Sequence, residues 1–305
     1  MVQYRKIKQF YYVPEVTYGV TPTSALTYGG PIVSFKPNVD KQVELHRTSG
    51  RDFSDVTRGP YKAGFNIKAK ARSVSGGYNW TNLWAMFGMG SASGLADTLG
   101  SFTAQTSKVG AATTYNFYNG CKVSKLNISS EGPGKEILFD ADVIAQWVQA
   151  ATTTKAITGL QSLTVGADPT DITTPLLIWN GISQINLGGG LTTWTPRKWS
   201  LIVDNHLAPN PENRLGADSV KYPLDAGSLP EDSRDIILEV TLPHEAETYL
   251  AAKLADTAIT AVTIPIDAKT VTLSNGVFMA NDLPELKQGL LEETCKMQFT
   301  SLSIA

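Results

Sequence analysis

Two stretches of the chain, residues 118–147 and 273–305, follow the same plan. Asn-Gly stands near the start of each, and an alternating apolar/polar run, a Pro/Gly loop and a second alternating run follow. Alternation with a period of two is typical of strands that bury one face, and Asn-Gly favours a turn. The two stretches therefore predict two β-hairpins, the second at the end of the chain.

The order of elements around these hairpins also recurs. Both halves show a strand, a long polar loop, a strand, a short helix, a loop, Asn-Gly and the hairpin. An ungapped comparison places residues 135–144 over 295–304, so that Phe139 matches Phe299 and Ile144 matches Ile304. The repeated order favours a duplicated β-rich domain. Coincidence is the alternative, because strands and hairpins are common.

The fold class predicted from these patterns is mainly β with short helices. Small, polar, turn-rich segments mark the boundaries between its parts. The predicted parts are an extended N-terminal arm (1–30), a first β domain (31–150), a linker (151–175) and a second β domain (176–305). A chain of 305 residues is long enough for such a division.

Composition excludes several classes of function. The net charge is −2 and the chain contains no basic block, so direct capture of nucleic acid is not expected. The two cysteines, Cys121 and Cys295, lie far apart and outside any Cys/His spacing, so neither a disulfide framework nor a metal or cofactor site is predicted. The N-terminus has no signal-peptide pattern and no apolar run could span a bilayer, which predicts a cytoplasmic place of synthesis.

A search for catalytic patterns finds little. The three histidines do not fall in a metal-binding spacing, and neither a nucleophile elbow nor a phosphate-binding loop is present. Asp140 and Asp142 lie two residues apart, so a strand would present both on one face. Such a pair could serve a glycosidase, but a solvated acidic face is the plainer interpretation. No catalytic residue is predicted, and a structural or a binding role is favoured over an enzymatic one.

Three features resemble the tail tube proteins of tailed phages, of the siphovirus and myovirus type, in their long form. They are the segment PEVTYGVTPTSA at residues 14–25, the order of strands, helix and Asn-Gly hairpin, and the terminal strand KMQFTSLSIA at residues 296–305. The resemblance implies an Hcp-like β-barrel or rolled sandwich with a flanking helix. It also implies a non-enzymatic subunit of rings that stack into a hollow tube, through which the viral genome passes.

The resemblance further implies how many chains build a ring. Members with one domain form six-membered rings, so a duplicated chain would form trimeric, pseudo-hexameric rings. A hexamer of chains with one tube domain and one decorating domain is an alternative, and a β-sandwich module that binds carbohydrate through its aromatic residues is another. The expected partners are other copies of the chain, tail terminator, tape-measure and baseplate or tip proteins, a sheath protein if the tail is contractile, and genomic DNA that passes without specific binding. The expected location is the virion tail, after assembly in the host cytoplasm.

A lumen that lets DNA slide should be acidic or neutral, because each cationic phosphate contact adds affinity. The residues expected to face the lumen are Asp140, Asp142, Glu292 and Glu293. Salt bridges on the outer face or between rings are the alternative role for these four.

The arm and the polar segments 46–63 and 205–232 are expected to reach across ring interfaces, the arm becoming ordered only on assembly. Free strand edges could then pair between neighbouring subunits into a continuous inner barrel. The candidate assembly residues are Tyr11, Tyr12, Tyr18, Arg51, Asp52, Arg58, Arg214 and Asp218.

Overall fold

The computed structural model describes most of the chain, with gaps. The described residues are 6–20, 22, 27–28, 32–46, 55–73, 80–86, 89, 94–109, 114–149, 176–179, 185–186, 193–194, 196–207, 233–244, 248–281, 285–287 and 290–305. Within them the strands are β1 (Lys6–Pro14), β2 (Thr27–Tyr28), β3 (Ile32–His46), β4 (Asp55–Lys70), β5 (Phe102–Val109), β6 (Thr114–Ser130), β7 (Lys135–Ala145), β8 (Trp147–Gln149), β9 (Ile178–Trp179), β10 (Ile185–Asn186), β11 (Thr193–Trp194), β12 (Lys198–Asp204), β13 (Asp235–Pro243), β14 (Ile259–Ile266), β15 (Lys269–Asn281), β16 (Glu285–Lys287) and β17 (Leu290–Ile304). The two helices are α1 (Trp80–Met86) and α2 (Thr248–Leu254).

The predicted mainly-β class with short helices is confirmed. Alternation sets the strand faces: in β7, Ile137, Phe139, Ala141 and Val143 are buried, while the residues between them are partly or fully exposed. The buried side chains form a single hydrophobic core that extends through both halves of the chain. In the described residues the strands form an open antiparallel sheet, and the predicted barrel is not closed within one chain.

The two halves, here residues 6–149 and 176–305, share one strand order. Hydrogen-bonded neighbours in the first half run β3–β4–β7–β6–β5. In the second half they run β12–β13–β17–β15–β14. Helix α1 follows β4 along the chain, and helix α2 follows β13. A further strand pairs at the far side of each run: β1 pairs with β5, and β10 pairs with β14. The repeated order predicted from the sequence is thus present in the strand pairing.

Strand pairing also gives the residue-by-residue correspondence between the halves. A bulge interrupts β6 just after the pair Val123–Val143, and a bulge interrupts β15 just after Phe278–Met297. Val143 therefore corresponds to Met297, whereas the ungapped comparison had placed it over Ser303. That comparison is wrong in register by six residues, because a shift by any even number keeps every side chain on its face and alternation alone cannot fix the alignment.

Counting outward from this pair extends the correspondence across the sheet. Val143 lies opposite Phe65, and Met297 lies opposite Leu238. Phe65 and Leu238 in turn lie opposite Pro37 and Leu201. It follows that β3 corresponds to β12 and β4 to β13, with Pro37 level with Leu201.

The longest strand pair between the two halves joins β6 to β12; the two-residue strand β9 also pairs with β7. β6 of the first half pairs antiparallel with β12 of the second, from Ser130 opposite Trp199 to Lys125 opposite Asp204. This pairing, called here the internal joint, makes one continuous run β3–β4–β7–β6–β12–β13–β17–β15, called the main sheet. In the described residues, β3 at one end and the part of β15 after Gly276 at the other end pair on one side only.

The expectation of an N-terminal arm that orders only on assembly is wrong for residues 6–20. β1 pairs with β5 along its length, and Phe10 is fully buried beside Phe65, with 6.0 Å between ring centroids. The three prolines and three glycines of residues 14–31 suggested an extended arm, but a strand at a sheet edge tolerates proline at its end. β1 is part of the core that the subunit needs to fold.

The segments predicted as long loops divide into described and undescribed parts. β3 continues to His46 and β4 begins at Asp55, so residues 55–63 belong to a strand, and the hairpin extends beyond the first pair with β7 at Ala63. Of the second segment, residues 205–207 are described and 208–232 lie outside the described residues, as does the predicted linker 151–175. The proposed domain boundaries stay a prediction.

Candidate assembly surface

The main sheet has a polar face on the side opposite the core. Asp140 and Asp142 of β7 both point to this face, as predicted, and Asn66 of β4 lies between them. The Asn66 Nδ2 group donates one hydrogen bond to Asp140 Oδ1 at 2.7 Å and another to Asp142 Oδ1 at 2.9 Å. Asp140 also pairs with Lys68, at 2.7 Å between Nζ and Oδ2. The acidic pair is therefore held and partly neutralised by the neighbouring strand.

Other charges on the polar face are paired in the same way across neighbouring strands. The pairs, with N–O distances, are Lys70–Glu136 at 2.6 Å, Lys125–Asp204 at 3.8 Å, Arg197–Glu292 at 2.6 Å and Lys296–Glu239 at 3.4 Å. Partly exposed pairs of this kind contribute at most about 1 kcal/mol each to stability. Their main consequence is electrostatic, because the face carries many charges with little net charge.

The neighbouring residues Glu292 and Glu293 have different environments, because successive strand residues point to opposite sides. Glu292 accepts a hydrogen bond from Arg197 on the polar face. Glu293 is only 2% exposed, and its Oε2 lies 3.4 Å from Nδ1 of His244. The expectation that Glu293 faces an open surface is wrong, and the sequence contained the signal, since Glu293 is in phase with the buried Cys295 and Met297.

The N-terminal segment has a role that the sequence did not reveal. The Glu15 carboxylate accepts hydrogen bonds from the Gly19 backbone N–H at 2.8 Å, the Thr103 hydroxyl at 2.7 Å and the Gly120 backbone N–H at 2.9 Å. Gly120 has φ +61°, and a Cβ there would approach the Tyr18 ring to 3.1 Å. The Glu-x-x-Tyr-Gly motif thus holds the Asn-Gly kink at which β6 changes partner from β5 to β12.

The predicted assembly residues fall into three groups. Tyr11 and Tyr12 are buried in the subunit, at 5% and 8% exposure, so they do not offer a surface to a neighbour. Tyr18 is half-buried at the kink, with the Lys122 ammonium 5.8 Å from its ring centroid. Arg58 lies in the extended part of β4, where only the backbone is described. The remaining four, Arg51, Asp52, Arg214 and Asp218, lie outside the described residues.

Exposed apolar side chains lie along both open edges of the main sheet. Val33 and Val39 of β3 are 52% and 45% exposed, and Val277 and Met279 of β15 are 49% and 46% exposed. Leu254, at the end of the helix α2 that packs against β15, is 78% exposed. Sequence reasoning missed these residues, because an alternating pattern does not show whether another strand covers the edge of a sheet.

One of these edge residues has a covered counterpart at the internal joint. Val39 is level with Val203, which is fully buried where β12 meets β6. β15 corresponds to β6 in its pairing. β6 pairs with β5 up to Cys121 and with β12 from Lys125. β15 pairs with β14 up to Gly276, and beyond that residue this side of the strand has no partner in the described residues. The open edges of the chain therefore match the two strands that its internal joint brings together.

Comparison with known families agrees with this architecture. A family model described as phage tail tube protein matches residues 7–295. The chain belongs to the phage tail tube family. The match runs through both halves and the internal joint, and it confirms the resemblance drawn from the segment at 14–25 and the strand order. No curated protein matches the chain in sequence.

Membership in the tail tube family makes the chain a structural component of a phage tail that assembles with other copies of itself. Its place is the tail of the virion. Neither helix in the described part of this tail tube protein is long and apolar enough to cross a membrane.

Proposed function

We propose that three copies of this chain close into a ring of six similar β units, and that stacked rings form the tube that conducts the genome during ejection. The observation that carries the proposal is the internal joint. It is a contact between one half and the next, made by strands whose counterparts are open at the two ends of the same chain. A chain that makes this contact once within itself can make it again with a neighbour.

Ring closure would then copy the internal joint. The β3 edge of one copy would pair antiparallel with the β15 edge of the next, as β12 pairs with β6. At the joint Asp204 lies opposite Lys125. Their counterparts are Asp40 and Ala280, so these two residues are expected to meet between neighbouring copies.

Two contributions would stabilise this contact. The unpaired backbone groups of both edges would complete their hydrogen bonds. The exposed apolar side chains of Val33, Val39, Val277 and Met279 would lose contact with water, at about 25 cal/mol for each Å² buried. Val203, the counterpart of Val39, is fully buried, so an edge residue of this kind loses its contact with water when a joint closes over it.

The polar face is the candidate lining of the lumen. Helix α1 and the outer strands β1, β5 and β14 contribute side chains to the core, so closing the ring with the core outward would turn the polar face towards the axis. Asp140, Asp142 and Glu292 would then face the lumen, each beside a basic or amide group. Paired cations offer few free contacts to phosphate, so DNA could slide without salt-dependent adhesion.

Stacking of rings requires head-to-tail contacts, which repeat along the axis without closing. The extended β3–β4 hairpin beyond Ala63 is a candidate for this contact. The two ends of such a tube would differ, and we propose that they receive the tail terminator at one end and baseplate or tip proteins at the other. A tape-measure protein and then genomic DNA would occupy the lumen, and a sheath protein could surround the outer wall.

Electron microscopy of the purified protein, with class averages of end-on views, tests the stoichiometry. Threefold density with six lobes around a central hole is the expected result. Six whole chains in a ring would be compatible with a tube but would contradict a ring of three chains in which each chain supplies two β units. Discrete monomers at every protein concentration and salt tested, together with ligand-dependent tryptophan fluorescence on adding oligosaccharides, would favour a carbohydrate-binding module instead.

A further inference from the structure

The two halves differ in charge at one corresponding pair of residues. In the first half Asp40 of β3 lies opposite Lys62 of β4, an acid opposite a base. At the same level of the second half Asp204 of β12 lies opposite Asp235 of β13. Like charges directly opposite in a sheet are destabilising. The second half therefore needs another positive group at this position.

His206 is the group that lies there. Its Nε2 is 2.7 Å from Asp235 Oδ2, and its backbone N–H donates to Asp204 Oδ1 at 3.0 Å. Its Nδ1 lies 3.7 Å from the same Asp204 oxygen. With φ at 45°, in the left-handed region, the backbone turns back at this residue, and the imidazole bridges the two carboxylates.

Besides His206, a lysine and an amide contact the two acids in the described part of the chain. From β6, Lys125 reaches Asp204 at 3.8 Å, and Lys125 itself lies opposite Asp142 of β7. From β17, the uncharged Gln298 donates to Asp235 Oδ1 at 2.8 Å. The neighbouring Arg234 donates through Nε to Asn205 Oδ1 and through Nη2 to the Ala96 carbonyl.

We infer that His206 is a pH-sensitive clasp that holds β12 and β13 together where β12 ends and β13 begins, beside the internal joint. In its protonated form it binds both carboxylates. In its neutral form it leaves Asp204 and Asp235 facing each other, with Lys125 3.8 Å from Asp204. The clasp lies beside the joint itself, because the adjacent Asn205 donates through Nδ2 to the Val123 carbonyl of β6 at 3.0 Å.

The direction of the pH effect follows from the histidine's surroundings. The hydrogen bond with Asp235 and then the charge of Asp204 raise the pKa of His206 above its usual value of about 6.5, against smaller opposing effects of desolvation and Lys125. A group whose pKa is raised on folding stabilises the fold fully below its unfolded pKa. That stabilisation is lost as the pH rises through the folded pKa. The clasp should therefore be closed in mildly acidic solution and open in alkaline solution.

Thermal unfolding of the full chain between pH 5.5 and 9 tests the inference by comparing the wild type with His206→Asn. Asparagine tolerates the positive φ, so the change removes the imidazole without imposing backbone strain. The wild type should melt at a higher temperature than the variant at pH 5.5, and the gap should shrink as the pH rises through the pKa of His206. A gap that stays constant across this range would overturn the clasp.

Two further measurements separate the clasp from an ordinary structural contact. Histidine resonances followed by NMR, assigned by loss of one signal in His206→Asn, should show His206 titrating above its usual range; titration at or below that range would contradict the inference. Asp235→Lys, which recreates the pair of the first half, should make the melting temperature insensitive to a second change at His206. If Asp235→Lys does not fold, Asp235→Asn should reduce the same pH dependence, and an unchanged dependence would also count against the clasp.

Discussion

The internal joint and the two open edges of the main sheet are built from corresponding strands, and in the described residues the segment after α1 adds contacts across the joint from outside the sheet. Residues that follow α1 reach across to the second half: Arg234 donates to the Ala96 carbonyl, Asn205 contacts Met89, and Gly94 bridges to Ser303. After α2 the chain reaches β14 within four residues, and Leu254 is left exposed. A closure between chains would therefore be weaker than the joint inside a chain, which suits a subunit that must fold first and assemble later.

The largest expected difference between joint and edge comes from one substitution made at two corresponding positions. Val203→Asp places a charge in a fully buried site, which costs several kilocalories per mole, so the subunit should fail to fold. Val39→Asp places the same charge on an edge residue that is 45% exposed, so the subunit should fold normally and form no rings. Circular dichroism and electron microscopy of both variants check this. Normal rings from Val39→Asp would remove the β3 edge from the assembly contact.

A smaller effect is expected at the kinks that direct β6 and β15 to their partners. In the first half the Glu15 carboxylate accepts the Gly120 N–H, whereas in the second half Asn275 itself adopts φ 53°. Glu15→Gln weakens three hydrogen bonds to a charged acceptor and should lower the free energy of unfolding by about 1–3 kcal/mol. Asn275→Gly, which suits the positive φ, is the matched control and should change it by less than about 1 kcal/mol. Denaturant titration measures both, and equal losses would contradict the role given to Glu15.

The smallest effect is expected on the polar face. The ion pair Lys68–Asp140 corresponds to Thr241 and Thr294, whose hydroxyls lie 3.1 Å apart. Replacing the first pair by the second, as Lys68→Thr with Asp140→Thr, should lower the free energy of unfolding by less than about 1 kcal/mol and leave assembly intact.

Asp140→Thr alone removes the ion-pair partner of Lys68. It should increase the affinity of assembled tubes for DNA, with one added phosphate contact in the salt dependence. An unchanged salt dependence would argue that this face does not meet DNA.

Alternation predicted the strand faces because burial of one side of a sheet imposes it directly. That rule placed Asp140 and Asp142 correctly on one face. Glu293 was misplaced because the adjacent residues Glu292 and Glu293 were assigned to the same face, although successive strand residues point to opposite faces. The burial of β1 was missed because local turn formers say nothing about a distant partner strand such as β5. The internal joint was equally out of reach, since the backbone groups by which β6 selects β12 are the same in every strand.

The central claim is that the open edges repeat the internal joint, and engineered disulfides test it most directly. Lys125→Cys with Asp204→Cys places two cysteines opposite each other at the joint, and is the control that should cross-link within one chain. Asp40→Cys with Ala280→Cys places them at the corresponding positions of the two open edges. In oxidised tubes this variant is predicted to give covalent dimers and trimers on a denaturing gel, with nothing larger. A ladder that continues to six chains would contradict the three-chain ring, and monomers alone, beside an efficient control, would contradict edge pairing itself.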